Sequence, residues 1–265
     1  MVTLAGIFPP TQPPEQIGAV AAAAESAGLE QLWIWEDCFM ESGIATATAM
    51  LATTSRITVG IGLLPVPLRN VALTAMEIAT LSRLFPGRLI AGVGHGVLDW
   101  MGQAGAKVES PMTLLREYTA ALYALLHGET VTARGRYVNL GAVALDWPPA
   151  VVPPLLVGGI KPRTVSLAGE LADGVIIPGG VSPEGVRTSV CHLHGHRPAR
   201  LAGAPADVVV FTSAPADSPA ATLADTIGEY AGAGATHVAV NAAEDDADLE
   251  RFAGFLAREV GPLLR

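Results

Sequence analysis

The regular alternation of short apolar runs with longer amphipathic ones constrains this chain most. Runs at 3–8, 31–36, 57–64, 88–94, 155–159, 174–180, 207–213 and 237–242 are dense in apolar residues and read as strands. Helical patterns fill the gaps at 13–28, 44–55, 70–87, 112–128, 162–172 and 222–235, with a closing helix over 248–264. Punctuation agrees: proline and glutamate open the first helix and Gly28 follows its end, while Pro86-Gly87 stops the third. Residues 129–141 read as a hairpin turning at Arg134-Gly135, followed by a proline-rich link over 146–154. The segment 182–204 is expected to be irregular. Strands with so few polar residues suit a parallel sheet covered on both faces. About eight β-α units in 265 residues predict one closed (β/α)₈ (TIM) barrel domain over 1–265 rather than an open doubly wound sheet. The hairpin is then an insert after the fourth helix.

A net charge of −9 argues against a general nucleic-acid binder, which needs a basic face. Cys38 and Cys191 are too few for a disulfide scaffold, so a reducing compartment is the simpler expectation. The start, MVTLAGIFPPTQPPE, carries no basic leader, and no uncharged stretch reaches the roughly 18 residues of a membrane helix. A soluble cytoplasmic protein acting on a small molecule is expected, with neither nucleic acid nor membrane as partner.

In such a barrel, chemistry gathers at the C-terminal ends of the strands. Those ends fall at Phe8-Pro9, Glu36-Asp37-Cys38, Gly62 to Pro65, Gly94-His95-Gly96, Gly158 to Lys161, Pro178-Gly179-Gly180, Thr212-Ser213 and Asn241. The stretch RLIAGVGHGVLDW (88–100) imitates a nucleotide-binding turn but is not one. Val97 stands where the dinucleotide fingerprint needs its third glycine, and no Gly-Lys-Ser/Thr follows. After the fifth strand, glycines, Lys161 (one of two lysines) and Arg163 meet a helix start at Pro162. That coincidence suits a phosphate, since a helix N-terminus presents free N–H groups. A solvated surface pair is the plain alternative.

The wording of ITVGIGLLPVPLRN, LSRLFPGRLIAGVGHG, LLREYTAALYALLHGETVTARGRYVNL and PPLLVGGIKPRTVSLAGELADGVI resembles the luciferase-like monooxygenase superfamily, in particular its oxidoreductases dependent on the deazaflavin coenzyme F420. The resemblance covers nearly the whole chain; relatives often carry a longer insert between strands six and seven. It implies the same barrel, with F420 or FMN at the strand ends. It implies a bulge against the ring at Gly62-Leu63, often with a cis peptide; an ordinary β-bulge is the other reading. It assigns the cofactor's phosphate and tail to Gly159, Ile160, Lys161, Arg163 and Thr164. Asp37, His95, Gly96, Pro178 and Gly179 complete the expected cofactor contacts, with His95 bonding either the cofactor or a neighbouring loop. Cys38, Val97 and Trp100 are expected in the substrate pocket.

The departures are chemical. In sugar-phosphate dehydrogenases of this family, a histidine follows the aspartate after strand two and a glutamate follows the strand-four glycine motif. Cys38 and Val97 stand at those positions. Asp37 is left as the candidate proton-transfer group, with Glu36 pointing to the opposite face as its strand neighbour. The expectation is an F420-dependent oxidoreductase, working as a reductase on a small organic substrate. An FMN-dependent monooxygenase and a barrel that binds a flavin without turnover are the alternatives. The run CHLHGH (191–196) has metal-ligand residue types but no companion cluster, so no metal site is expected. The helices at 44–55 and 70–87 are poor in charge on every face, which, with the habit of relatives, predicts a homodimer.

Overall fold

Eight parallel strands close on themselves in the order β1-β10-β9-β8-β7-β4-β3-β2. The computed structural model describes residues 2–199, 201, 203, 205–244 and 247–264. The barrel strands are β1 (Thr3–Ile7), β2 (Gln31–Ile34), β3 (Thr58–Pro65), β4 (Leu89–Gly94), β7 (Leu155–Gly158), β8 (Gly174–Ile177), β9 (Asp207–Ala214) and β10 (His237–Ala242). β5 (Val131–Arg134) and β6 (Asn139–Val143) form the antiparallel hairpin outside it. The helices are α1 (Ile17–Ala27), α2 (Gly43–Thr53), α3 (Val71–Leu84), α4 (Leu98–Gln103), α5 (Pro111–Leu126), α6 (Pro162–Leu171), α7 (Pro183–Gly195), α8 (Ala220–Gly232) and α9 (Leu249–Phe255). Among the described residues no helix is long and apolar enough to cross a membrane.

Two apolar cores follow from strand alternation. Outward-facing residues such as Val59, Ile61, Val157 and Val175 pack under the helices, while Ala5, Trp33, Ile90, Leu156, Val209 and Ala239 fill the barrel's interior. Trp33 is wholly buried there and meets Phe211 edge to face at 5.7 Å. A Cβ at Gly60 would collide with the Trp33 ring, so the indole takes the volume that glycine leaves.

Four sequence expectations need correction. The segment 182–204 is not irregular throughout: α7 starts at Ser182, whose hydroxyl accepts from Gly185 N at 3.3 Å, with Pro183 in its first turn. The Ser-Pro-Glu start signal was present, masked by Gly185 and the β-branched residues after it. A short helix, α4, occupies part of the glycine-rich stretch after β4. Strand two ends at Ile34, not at 36, and strand six at Ile177, not at 180. In both cases the chain turns out of the sheet to shape the mouth of the barrel.

Candidate active site

At the C-terminal mouth lies a cavity of about 520 Å³. Its floor and walls are largely apolar, with Ile7, Trp35, Leu63, Ile176 and Phe211 among the lining side chains. The polar groups that reach it are few: Asp37, Glu36, His95, Ser213 and Asn241. A concave apolar space with a few converging polar groups is the usual form of a small-molecule site.

β3 supplies the platform. Its register against β4 shifts between Ile61 and Leu64, and the Gly62-Leu63 peptide is cis, so bulge and cis bond occur together. A second cis non-prolyl peptide joins Cys38 to Phe39. Leu63 O accepts from Glu36 N at 3.2 Å, which ties the bulge to the chain leaving β2. The Leu63 side chain lies where Cβ atoms at Gly94 and Gly158 would be, so it settles between β4 and β7. A Cβ at Gly62 would come within 2.7 Å of Phe211 Cζ. The backbone of 62–63 therefore faces the cavity without a side chain at 62, leaving a surface against which a flat ring can lie.

Glu36 and Asp37, both past the end of β2, border the cavity with different partners. Arg69 clamps the Glu36 carboxylate with both terminal nitrogens, one at 2.8 Å from Oε2, and Gly43 N donates to the same oxygen at 2.8 Å. Glu77 lies 3.4 Å from Arg69 Nε. Glu36 is thus held by the start of α2 and the loop before α3. Asp37 turns to the cavity, where Trp35 Nε1 donates to Oδ2 at 2.8 Å. Burial pushes the Asp37 carboxyl up, opposed by that indole N–H. Trp33 and Trp35 both approach Phe211, yet they differ in role: Trp33 is core, and Trp35 lines the cavity.

On the opposite side, His95 Nε2 sits 3.4 Å from Thr164 Oγ1, so the histidine reaches the start of α6. Its Nδ1 is buried without a hydrogen-bond partner. Burial and then the charge of Lys161 push the ring below its ordinary pKa, which keeps it neutral near pH 7. Lys161 is the N-cap of α6 and makes no side-chain cap bond, and Pro162 follows in the first turn. Ile160, Lys161 and Arg163 are exposed at the rim, while Thr164 is buried.

The structure gathers most of the expected residues round one cavity. Asp37, Gly62, Leu63, His95, Gly96, Val97, Gly159, Pro178 and Gly179 all line it. Cys38 and Trp100 do not, nor do Ile160, Lys161, Arg163 and Thr164, which follow the lining Gly159 into the start of α6. Cys38 is buried and borders an outer groove with Phe39, Met40 and Leu73. Its thiol is pushed up by burial and by the charges of Glu36 and Asp37, so it is not a reactive thiolate. Trp100 sits on α4, half-buried and outside the lining. Ile7, Ile176 and Phe211 were not singled out from the sequence, and Ser213 and Asn241 stood there only as strand ends without a role. Strand ends alone cannot say which side chain faces inward until the register is known. The run CHLHGH lies on α7 and its cap, with Cys191 exposed and His196 Nδ1 against the His192 carbonyl at 2.9 Å. Among the described residues no three ligating side chains gather for a metal.

Comparison with known proteins agrees with this architecture. The family model described as luciferase-like monooxygenase matches residues 2–259. The 5,10-methylenetetrahydromethanopterin reductase of Methanolobus tindarius is 32% identical over 170 residues, covering 64% of this chain and 52% of that protein. The F420-dependent glucose-6-phosphate dehydrogenase of Mycobacterium avium (strain 104) is 32% identical over 186 residues, covering 64% and 55%. In these sequence matches the chain spans about half the length of its relatives. The coenzyme F420 dependent tetrahydromethanopterin reductase from Methanopyrus kandleri superposes with a TM-score of 0.85 at 22% identity, over 100% of this chain and 99% of that one. At that identity the superposition speaks for the fold.

Proposed function

The chain belongs to the luciferase-like monooxygenase family, and on that footing we propose that it is an F420-dependent oxidoreductase, working as a reductase on a small organic substrate in the cytoplasm. The observation that carries the reading is the Gly62-Leu63 platform lining an apolar cavity whose wall at Gly158 and Gly159 leads into the helix start at Lys161. Such a group fits the residues present. The cavity wall carries two buried polar atoms without partners, His95 Nδ1 and Asn241 Oδ1, and the start of α6 has no side-chain cap of its own.

F420, when bound, supplies a ring that gives or takes a hydride; the protein's part is to bind, orient and manage protons. The bare backbone at 62–63 would hold the flat ring. Lys161, Arg163 and the first turn of α6 would hold the phosphate, where a cation and a helix N-terminus act together. Apolar walls at Ile7, Ile176 and Phe211 exclude water from the reacting face. Asp37 holds a proton on its carboxyl to a higher pH than an ordinary aspartate, and gives it to the substrate atom that becomes electron-rich.

Titrating the purified protein with F420 and with FMN, read by fluorescence, tests the assignment. Tighter F420 binding is expected, since Lys161 and Arg163 suit the longer acidic tail. Comparable or tighter FMN binding would turn the reading toward a flavin-dependent monooxygenase. The same proposal includes a homodimer, argued below from the apolar face of α3.

A further inference from the structure

On the wall formed by β9 and β10, Ser213 and Asn241 are register partners on adjacent strands, and both line the cavity. Asn241 Oδ1 is buried and accepts no hydrogen bond from the described residues. A buried amide oxygen left unmatched is costly, so such an atom at the wall of a cavity is placed for a ligand donor. Around the two polar residues the wall is apolar, with Ile7 on the neighbouring β1 and Phe211 two residues before Ser213 on β9. This is the one polar stretch on that side of the cavity among the described residues.

The rest of the site restricts what can reach it. The cavity is bounded on one side by Gly62 and Leu63 of β3, His95 after β4, and Gly158 and Gly159 at the end of β7. In the closed order, β10 lies four strands from β4, directly across the barrel. In flavins and deazaflavins the tail leaves the middle ring, so a ring resting on 62–63 with its tail running between Gly159 and the start of α6 would turn its two ends to either side, one of them toward β9 and β10. Flavins and deazaflavins have one polar end, an imide in which an N–H lies between two carbonyls; the opposite end is carbocyclic. The polar pair Ser213 and Asn241 suits the imide end. An asparagine amide complements an imide, since its oxygen accepts the N–H while its NH₂ donates to a neighbouring carbonyl.

We propose that Asn241, with Ser213 beside it, binds the imide edge of the ring cofactor and so fixes the ring's rotation on the Gly62-Leu63 platform. This rests on the flavin-type cofactor reading above but not on the choice between F420 and FMN, which share the imide.

The test is the affinity of whole protein and variants for F420 and for its imide-N-methylated derivative, followed by fluorescence. Asn241→Ala is expected to weaken F420 binding by roughly tenfold, as for the loss of a buried hydrogen bond. It should leave the N-methyl derivative, which has no imide N–H, little changed from its affinity for the unmodified protein. Asn241→Asp keeps the side-chain size and the acceptor but loses the amide donor, and should also weaken F420. Thermal melts by circular dichroism are expected to stay near the unmodified protein's for both variants. Equal F420 affinity in Asn241→Ala would overturn the proposal. So would an equal loss for F420 and the N-methyl derivative, which marks a general distortion of the wall. If the unmodified protein binds neither F420 nor FMN, the cofactor reading itself fails, and that result is distinct from either of these.

Discussion

The side chain of Leu63 fills the volume that a Cβ on Gly158 would need. Leu63 belongs to the β3 bulge and Gly158 to the end of β7, so the glycine lets the platform settle between strands. Gly94 on β4 serves the same side chain. Gly158→Ala should therefore push Leu63 toward the open cavity rather than into packed core. Overpacking a core costs about 1–3 kcal/mol, but a neighbour that can swing into empty space relieves most of it. The expected outcome is a small change in melting temperature with a loss of F420 affinity of roughly fivefold or more. A marked fall in melting temperature with unchanged affinity would mean that the barrel yields and the platform does not.

Lys161 offers a second handle on the same ligand. It is exposed and caps α6 through its backbone, so its side chain is free to change without disturbing the helix. Lys161→Glu places a carboxylate where an anion is expected. A charge-assisted hydrogen bond contributes about 1.5–3 kcal/mol, so cofactor affinity should fall by roughly tenfold or more. Unchanged affinity would locate the phosphate elsewhere on the rim.

The barrel itself was legible because apolar runs, helix caps and glycine stops recur with the period of β-α units. The glycines at 62, 94, 96 and 159 were legible as places of close approach, and all lie at the cavity or against Leu63. What could not be read was which side chains at each strand end turn inward. Cys38 follows Asp37 directly, yet it borders only an outer groove and not the cavity. Trp100 stands close in sequence to His95, yet α4 intervenes and takes it away. Glu36 was legible as a spare carboxylate, but its partner Arg69 comes from a loop thirty-three residues on, which no local pattern reveals.

The missing proton-transfer groups predict a negative result. Cys38 lies outside the cavity and Val97 is an exposed apolar residue at its edge, so neither supplies an acid or base. Glucose-6-phosphate should give no F420 reduction above background in a spectrophotometric assay, despite the likeness to glucose-6-phosphate dehydrogenases. Robust turnover would show that other residues carry the chemistry and that the alignment of strands two and four is wrong.

Asp37 predicts a pH signature in stability. Its folded carboxyl is raised by burial, against the Trp35 N–H. The native state therefore holds the proton to higher pH than the unfolded chain does. Stability falls as pH rises from the unfolded value through the folded one, and above both the cost is complete. Asp37→Asn removes the charge while keeping an oxygen for Trp35 Nε1. The variant should melt higher than the unmodified protein at pH 7, and the gap should close as pH falls below the ordinary aspartate range. Turnover should drop while F420 binding persists. A variant less stable at pH 7 would mean that the ionised carboxylate is a net stabiliser of the mouth.

The last prediction concerns assembly. α3 turns one face inward through Val71, Ala75, Ile78 and Ala79, all buried. Its outer face carries Leu73 at 47% exposure, Met76 at 57% and Leu84 at 63%, where a solvent-facing barrel helix normally shows a charged stripe. Phe39 and Met40, 70% and 52% exposed, stand at the groove that Leu73 also lines. The neighbouring helices and loops thus leave this surface uncovered, although Arg69 and Glu77 nearby are drawn into the ion pair with Glu36. A contiguous apolar face of this kind is stabilised by burial against a second copy, and closed two-fold pairs are the commonest arrangement. Light scattering after gel filtration at micromolar protein should give a mass twice the chain's 27.2 kDa. Met76→Glu should shift the population toward monomer while leaving the melt cooperative, since the side chain points to solvent within one chain. A single species near 27.2 kDa that does not change on concentration would sink the dimer and leave this face for another role.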